Sequence, residues 1–220
     1  YAKERFKDFE WDRVSKSDHI THGNVTFRES RETTHFSVMS SDGMAVSFTT
    51  TLNSPYGNKI VIPGAGFLLN NEMDDFSIKA NVMNQYNLLG REANSIEPGK
   101  RMLSSMSPTL VVRDGIPILV TGSPGGSTII TSVLQEILNI LDFQMSLEES
   151  SKKSRIHFQH LPDILFHEQL DKNVIQALKK DRRLINRKLG EIHSILLRKD
   201  GVEAFSDKRR PDGKASSIYK

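Results

Sequence analysis

The sequence predicts an α+β fold that combines antiparallel hairpins with separate helices. Asp-Gly pairs stand between short runs rich in β-branched and aromatic residues, and such pairs are a strong signal for tight hairpin turns. The pairs are at positions 42–43, 114–115 and 200–201. Between the second and third pairs, apolar residues recur at helical spacing. Antiparallel strands with intervening helices favour a layered α+β arrangement.

Each Asp-Gly turn is flanked by two predicted strands. The strand pairs are residues 36–39 with 45–51, 110–113 with 116–121, and 194–198 with 202–205. Side chains alternate between the two faces of a strand, so Thr49 and Thr51 are expected on one face and Thr50 on the other.

The longest predicted helix covers residues 127–141, with Ser127 as its expected N-cap. Its expected buried face consists of Ile130, Val133, Leu134, Ile137, Leu138 and Leu141. Shorter helices are expected over residues 147–151 and 173–180. Residues 77–99 have no clear period, and a loop this long inside a compact domain is usually functional or disordered.

The composition excludes several classes of site. The chain of 220 residues lacks cysteine, which excludes disulfides, thiolate metal sites and a cysteine nucleophile. No apolar run approaches the roughly 20 residues that span a membrane. The net charge is +3, with basic residues concentrated in positions 182–210. Charge without interleaved aromatic residues is a weak sign of nucleic-acid binding, so solvated faces and ion pairs to an acidic partner are favoured.

Four segments combine reactive and polar residues in unusual ways. They are residues 32–35 (Glu-Thr-Thr-His), 70–76 (Asn-Asn-Glu-Met-Asp-Asp-Phe), 101–106 (Arg-Met-Leu-Ser-Ser-Met) and 122–127 (Gly-Ser-Pro-Gly-Gly-Ser). Taken singly, the threonine pair can open a strand, the acidic cluster can be a solvated turn or cation site, and the glycines can form a turn. No lysine follows the glycines at P-loop spacing, which argues against a nucleotide site.

Together the segments resemble the C-terminal half of the γ-glutamyltransferases (glutathione hydrolases), a family of N-terminal-nucleophile hydrolases. The resemblance runs from Thr33 to about Tyr219. It implies the four-layer αββα sandwich, of which this chain supplies part. It also implies that the precursor cleaves itself between Glu32 and Thr33. Residues 1–32 would then be the tail of a large subunit, and residues 33–220 the small catalytic subunit.

Cleavage before Thr33 would create a catalytic base as well as a nucleophile. Inside a chain the nitrogen of Thr33 is a non-basic amide, whereas a free α-amine has a pKa near 8 and can take the hydroxyl proton. The expected processing route is attack of the Thr33 hydroxyl on the Glu32 carbonyl, followed by hydrolysis of the ester. The resemblance implies that the hydroxyl of Thr51 contacts the nucleophile.

The resemblance assigns the remaining segments to the substrate. A γ-glutamyl group carries an α-ammonium and an α-carboxylate. Glu72 and Asp75, with the Asn53 amide, would hold the ammonium. Ser104 and Ser105 would donate to the carboxylate, whose partner arginine would come from the large subunit.

Three further expectations follow from the same resemblance. The backbone N–H groups of Gly125 and Gly126 would stabilise an oxyanion at the start of the helix. Tyr86 matches the aromatic position of a lid over the pocket, although it could equally pack on a surface loop. His157 and His160 could suggest a metal, but structural histidines are favoured, and no cofactor or metal is expected.

The implied activity is cleavage of the γ-glutamyl amide of glutathione and its relatives through a γ-glutamyl ester on Thr33. The glutamyl group would pass to water, an amino acid or a dipeptide. The expected partner is the large subunit of the same precursor, and the expected location is periplasmic or extracellular. Alternatives are a related acylase, a poly-γ-glutamate hydrolase and a binding homologue that has lost processing.

Overall fold

A computed structural model describes residues 33–79, 82–85, 88–158, 163–210 and 213–217. Within these ranges the strands are β1 (Thr34–Met39), β2 (Ala45–Thr50), β3 (Thr109–Arg113), β4 (Ile116–Thr121), β5 (Ile156–Phe158), β6 (Ile164–His167), β7 (Arg183–Asn186), β8 (His193–Arg198) and β9 (Gly201–Ser206). The helices are α1 (Thr128–Leu141), α2 (Leu147–Lys152) and α3 (Lys172–Leu178), and short 3₁₀ turns cover Glu72–Asp75 and Glu92–Asn94. The predicted α+β class and the three Asp-Gly hairpins are confirmed.

The described strands form three sheets. Strands β1 and β2 pair antiparallel, with Thr34 opposite Thr50 and Phe36 opposite Phe48. A four-stranded antiparallel sheet has the order β3-β4-β8-β9. The third sheet has the order β5-β6-β7, with β6 and β7 parallel. Helix α3 lies between β6 and β7 in the chain, as parallel neighbours require a crossover connection.

The β1–β2 hairpin lies on the four-stranded sheet and is held there by serine hydroxyls. Ser37 Oγ donates to the carbonyl of His193 at 2.8 Å. Ser47 Oγ donates to the carbonyl of Thr121 at 2.8 Å and accepts from the N–H of Thr109 at 3.0 Å. These bonds join the inner face of the hairpin to β3, β4 and β8, so the two sheets form adjacent layers.

Helix α1 packs on the other side of the four-stranded sheet. The core there consists of buried Leu119, Ile140, Leu147 and Leu196, with Val111, Ile137, Leu141 and Phe205 packed against them. The predicted buried face of α1 was partly wrong, because Ile130 and Leu134 are each 52% exposed and Leu138 is 38% exposed. The helix has two apolar stripes, and the one facing the core carries Ile129 and Val133 together with buried Glu136, which accepts a 2.5 Å bond from Ser150.

The N-termini of the helices differ in how they are capped. The side chain of Ser127 does not cap α1; instead Thr128 Oγ1 donates to the carbonyl of Gly125 at 2.8 Å. Helix α2 begins with a capping box between Ser146 and Glu149. Asp171 caps α3 by accepting from the N–H of Asn173.

The third sheet was not predicted from the sequence. Its strands are three or four residues long, and β6 is buried at all four positions, so it lacks the alternation that identifies a half-buried strand. Arg155, next to β5, forms a buried 2.8 Å ion pair with Asp207, next to β9. Arg209 extends this network from Asp207 to Glu168, which follows β6. Burial alone would raise the pKa of Asp207, but the two guanidinium groups outweigh it and lower that pKa.

Among the described residues, none of the helices has the combined length and apolar character that crossing a bilayer requires.

We expect the substitution Asp207→Ala to lower the free energy of unfolding by about 3–5 kcal/mol, because it leaves the buried Arg155 guanidinium without its carboxylate. Urea denaturation measures this loss. The matched control is Lys152→Ala, which breaks the exposed Lys152–Glu148 pair and should cost less than about 1 kcal/mol. Equal small losses in both variants would contradict a stabilising role for the buried network.

Candidate active site

One cavity of about 190 Å³ brings together residues from segments that are far apart in the chain. Eight predicted site residues line it: Thr33, Thr51, Asn53, Glu72, Asp75, Ser104, Ser105 and Gly126. Gly125 adjoins the cavity in sequence but is not among its lining residues. Glu32 and Tyr86, together with the predicted tail of residues 1–32, lie outside the described residues.

Thr33 lies immediately before β1 and is only 7% exposed. The register pairs Thr34 with Thr50, so one step further along the hairpin Thr33 faces Thr51. Thr51 Oγ1 accepts from the N–H of Asn53 at 2.8 Å, and Asn53 has a left-handed φ of 72°. Asparagine tolerates this conformation better than most residues, which lets the chain turn sharply at the end of the hairpin.

His35 supports the strand that begins at Thr33, a role that the sequence analysis missed. Its Nε2 lies 3.1 Å from Ser37 Oγ and its Nδ1 lies 2.7 Å from Thr49 Oγ1. Because Ser37 gives its only hydroxyl proton to the His193 carbonyl, Ser37 Oγ must accept from an Nε2–H. Burial together with His193 lowers the pKa of His35 to about 4, so the imidazole is neutral at neutral pH. With its proton on Nε2, Nδ1 accepts from the hydroxyl of Thr49.

The ring of His35 also packs against the backbone of Gly122, four residues before Gly126. A Cβ placed on Gly122 would lie 2.2 Å from the ring, so a larger residue would displace the histidine. Strand β1 and the glycine-containing segment of residues 122–127 are thus in direct contact. The sequence offered one signal of this role: alternation puts His35 on the same face as Thr33.

The acidic side of the cavity is a 3₁₀ turn with two partly buried carboxylates. Burial and the neighbouring charge of Asp75 raise the pKa of Glu72 to about 7. Burial also raises the pKa of Asp75. Within the part of the chain that the structure describes, Glu72 Oε1 is buried without a hydrogen-bond partner. A pair of carboxylates with raised pKa values and an unused oxygen is suited to binding a cation.

The acidic turn is tied to the end of the hairpin through asparagine side chains. Asn53 Nδ2 donates to the carbonyl of Asn71 at 3.1 Å. Asn71 Oδ1 accepts from the N–H of Ser54 at 2.9 Å, and Asn70 Oδ1 accepts from the N–H of Glu72 at 2.9 Å. The carboxylates therefore keep a fixed position relative to Thr51.

The opposite side of the cavity carries hydroxyl groups. Ser105 is half-buried and Ser104 is exposed, and Ser104 Oγ accepts from the N–H of Met106 at 3.2 Å. That bond leaves the hydroxyl proton of Ser104 available as a donor. This side of the cavity can therefore hold an anionic group with neutral donors, opposite the carboxylates.

Gly125 and Gly126 connect β4 to α1 with φ values of 139° and 57°, both unfavourable for other residues. Their carbonyls accept from the N–H groups of Thr128 and Ile129 at 3.2 Å, which begins the helix. The N–H of Gly126 belongs to the same peptide as the Gly125 carbonyl. Because that carbonyl is directed into the first turn, this N–H is directed out of the helix N-terminus, where partial positive charge favours an oxyanion.

A larger cavity of about 450 Å³ opens between β1 and residues 213–216. Of the predicted site residues, only Thr33 lines it. Its charged groups include Arg210 and Glu191, which are paired at 2.8 Å. The smaller cavity combines Thr33 with the acidic pair and the serine pair, so we take that cavity as the candidate active site.

The described residues contain no group of three or more histidines and acids arranged to hold a metal ion. His157 Nδ1 lies 2.9 Å from Thr131 Oγ1, and its ring stacks on Phe166. His160 lies outside the described residues.

Comparison with known proteins identifies relatives along almost the whole chain. The family described as gamma-glutamyltranspeptidase matches residues 1–217. The glutathione hydrolase proenzyme of Escherichia coli (strain K12) is 43% identical over 216 residues, which cover 96% of this chain and 37% of that protein. The chain therefore spans little more than a third of the length of this relative.

Solved structures agree with this result. A mutant of the Helicobacter pylori gamma-glutamyltranspeptidase matches with a TM-score of 0.75 and 45% identity, covering 80% of this chain and 100% of that one. The gamma-glutamyltranspeptidase from Pseudomonas nitroreducens, complexed with L-DON, matches with a TM-score of 0.77 and 43% identity, covering 85% and 99%. The predicted fold, part of the αββα sandwich of N-terminal-nucleophile hydrolases, is confirmed by this likeness.

We expect the substitution Asp75→Asn to lower the pKa of Glu72 from about 7, because it removes the charge that adds to the effect of burial. Carboxyl-carbon NMR titration measures the shift. Glu97→Gln, at an exposed ion pair with Lys100, should leave the Glu72 titration unchanged. An unchanged Glu72 pKa in Asp75→Asn would show that the two carboxylates are not coupled.

Proposed function

The chain belongs to the gamma-glutamyltranspeptidase family, and from this premise we propose that it carries the active site of a γ-glutamyltransferase and glutathione hydrolase. The observation that carries the proposal is the cavity in which Thr33 meets an acidic pair on one side and a serine pair on the other. Because the chain spans only part of its relatives, the proposal concerns the whole protein of which this chain is a part.

The proposal begins with self-cleavage between Glu32 and Thr33. The Thr33 hydroxyl attacks the Glu32 carbonyl, the peptide nitrogen leaves as an amine, and water hydrolyses the resulting ester. The products are a carboxylate on Glu32 and a Thr33 with both a hydroxyl and a free α-amine. Support comes from the lengths of the matched chains in four solved structures. In each, 80–85% of this chain aligns with 98–100% of the solved chain. Residues 33–220 make up a similar share of this sequence, as expected if the solved chains correspond to that part.

The charges in the cavity support one orientation of a γ-glutamyl group. Its α-ammonium would bind Glu72 and Asp75, and it would give the buried Oε1 of Glu72 a hydrogen-bond partner. Its α-carboxylate would accept hydrogen bonds from Ser104 and Ser105. The scissile γ-carbonyl would then lie toward Thr33, three carbons from the charged end.

The chemical step follows from this orientation. The α-amine of Thr33 takes the hydroxyl proton as Thr33 Oγ attacks the γ-carbonyl. The oxyanion of the tetrahedral intermediate lies at the N–H groups of Gly125 and Gly126, whose loss typically costs on the order of 10²–10³ in rate. Thr51 Oγ1 already accepts from Asn53, so its proton is free to donate toward Thr33 Oγ.

The intermediate collapses when the amine leaving group takes the proton from the Thr33 ammonium. This step forms the γ-glutamyl ester. Water or an acceptor amine then attacks the ester carbonyl and gives its proton to the same α-amine, which releases glutamate or a new γ-glutamyl amide and restores Thr33. The substrates proposed are glutathione and related γ-glutamyl compounds.

We also propose that the upstream part of the precursor is the partner subunit and that the protein works in the periplasm or outside the cell. The outer face of the β1–β2 hairpin supports a partner there. Phe36 and Phe48 stack at 5.1 Å on that face, yet they and Val38 are 45–51% exposed. Such a contiguous apolar face is a common sign of an interface, and the name proenzyme, which the relatives carry, is consistent with a partner cut from the same precursor.

In the full-length precursor, we expect Thr33→Ala to remain joined through Glu32 and to lose more than about 10³-fold in turnover, the scale of nucleophile removal. Thr33→Ser should retain cleavage and part of the activity. Intact mass and release of a chromogenic γ-glutamyl anilide measure both effects. The control is Thr34→Ala at the neighbouring exposed position. An active Thr33→Ala protein would exclude Thr33 as the nucleophile.

We also expect kcat/KM for the γ-glutamyl anilide to rise with pH through about 7. The raised pKa means that the Glu72–Asp75 pair holds a proton below this pH, and the protonated pair binds an ammonium poorly. Because the Thr33 amine must also be unprotonated, two groups titrate in the same direction, and log kcat/KM should approach a slope of about 2 at low pH.

The substitution Glu72→Gln should reduce that low-pH slope to about 1 and lower the maximum of kcat/KM. Glu97→Gln should reproduce the wild-type profile, because Glu97 is exposed and pairs with Lys100. Identical slopes in wild type and Glu72→Gln would contradict the assignment of the acidic pair to the ammonium.

A further inference from the structure

One side chain, that of Asn94, joins the two halves of the proposed substrate site. Asn94 Nδ2 donates to the carbonyl of Asp75 at 2.7 Å. Asn94 Oδ1 accepts from the N–H of Leu103 at 3.0 Å. Asp75 belongs to the acidic side of the cavity, and Leu103 directly precedes Ser104 on the hydroxyl side. Asn94 itself lines the cavity between them.

Asn94 is held in place independently of these two bonds. Its N–H donates to the carbonyl of Arg91 at 3.0 Å, and its carbonyl accepts from the N–H of Ser77 at 2.8 Å. The chain before it packs tightly on the same segment, since a Cβ on Gly90 would lie 2.1 Å from Ser77 Oγ. The backbone of Asn94 is therefore anchored to the segment that follows Asp75.

The two bonds require the chemistry of asparagine. One planar amide supplies a donor to one backbone group and an acceptor to another, without charge. Aspartate would keep the acceptor for Leu103 but would place a carboxylate against the Asp75 carbonyl. Alanine would remove both bonds and leave the serine segment without this connection to the acidic turn.

We propose that Asn94 is a positioning residue that fixes the spacing between the acidic pair and the serine pair and thereby sets specificity for a substrate with both an α-ammonium and an α-carboxylate. Nδ2 and Oδ1 each bond to a backbone group beside one of the two pairs, and these bonds assign to Asn94 a role that acts through Asp75 and Ser104. The inference rests on the proposed function, because it assumes that these two pairs bind the glutamyl group.

The test compares two chromogenic donors in the full-length processed enzyme. The γ-glutamyl anilide carries both charged groups, whereas the 4-aminobutyryl anilide has the same chain length and amide but lacks the carboxylate. In Asn94→Ala we expect KM for the γ-glutamyl anilide to rise about tenfold with kcat changed less, the scale for loss of one or two hydrogen bonds. The kcat/KM for the 4-aminobutyryl anilide should stay nearly constant, so the ratio between the donors falls.

Two further variants keep the test decisive. Asn94→Asp has the same shape and retains the Leu103 bond, and the ratio should fall in it even if Asn94→Ala folds poorly. Asn139→Ala is the control, because Asn139 is a half-buried asparagine whose Nδ2 donates to Ser150 in the core behind the sheet. It should leave the ratio unchanged.

The outcomes separate the inference from the proposed function. A fall in the ratio in both Asn94 variants, but not in Asn139→Ala, would support positioning. Equal losses of kcat/KM on both donors would indicate general destabilisation and would overturn the positioning role of Asn94. An unchanged ratio between the donors in active Asn94 variants would also overturn that role. A wild-type enzyme that cleaves neither donor would instead overturn the proposed function.

Discussion

Hydrogen bonds from serine hydroxyls to backbone carbonyls hold the first hairpin on the four-stranded sheet, and the candidate site depends on them. Ser37 bonds to His193 and Ser47 bonds to Thr121, and the two serines lie opposite each other in the hairpin. A hydroxyl–carbonyl hydrogen bond tolerates only a narrow range of distances. These bonds therefore fix the distance between the hairpin and the four-stranded sheet, and the position of the hairpin along that sheet. Thr33, which directly precedes β1, then lies at the cavity, and neutral His35 fills the space between β1 and Gly122. The position of Thr33 is thus set by polar packing between two sheets.

The cavity separates charge in a way that matches a zwitterionic end group. Its acidic side carries two carboxylates whose pKa values are raised mainly by burial, so the empty site carries less negative charge at neutral pH than two free acids would. An ammonium would restore their ionisation, and its binding would offset the desolvation of Glu72 and Asp75. The other side offers neutral hydroxyls, which bind a carboxylate without competing for the ammonium. The side chain of Asn94 bonds to both segments, so in the proposed role it would set the spacing at which both groups are recognised.

Local signals in the sequence predicted much of this structure, and the misses are non-local. The Asp-Gly turns located three hairpins because the turn chemistry is contained in two residues. The strand β6 was missed because burial on both faces removes its alternation, and its pairing with β7 is parallel and distant. The apolar positions of α1 gave the helix but not which stripe faces the core, since buried Glu136 depends on Ser150 of another helix. For the site, the segments were identified by resemblance. Alternation placed His35 on the face of Thr33, but its contacts with Thr49 and Gly122 are distant in the chain, and the partners of Asn94 are nine and nineteen residues away.

The central claim is that Thr33 carries the glutamyl group, and trapping the acylated enzyme tests it most directly. The processed enzyme would be mixed with the γ-glutamyl anilide, quenched in acid within one turnover, digested and analysed by mass spectrometry. We expect a peptide that begins at Thr33 and carries one γ-glutamyl group, with fragment ions that place the added mass on Thr33. A γ-glutamyl group on Thr51 or Ser104, or steady turnover with no adduct on the Thr33 peptide, would contradict it.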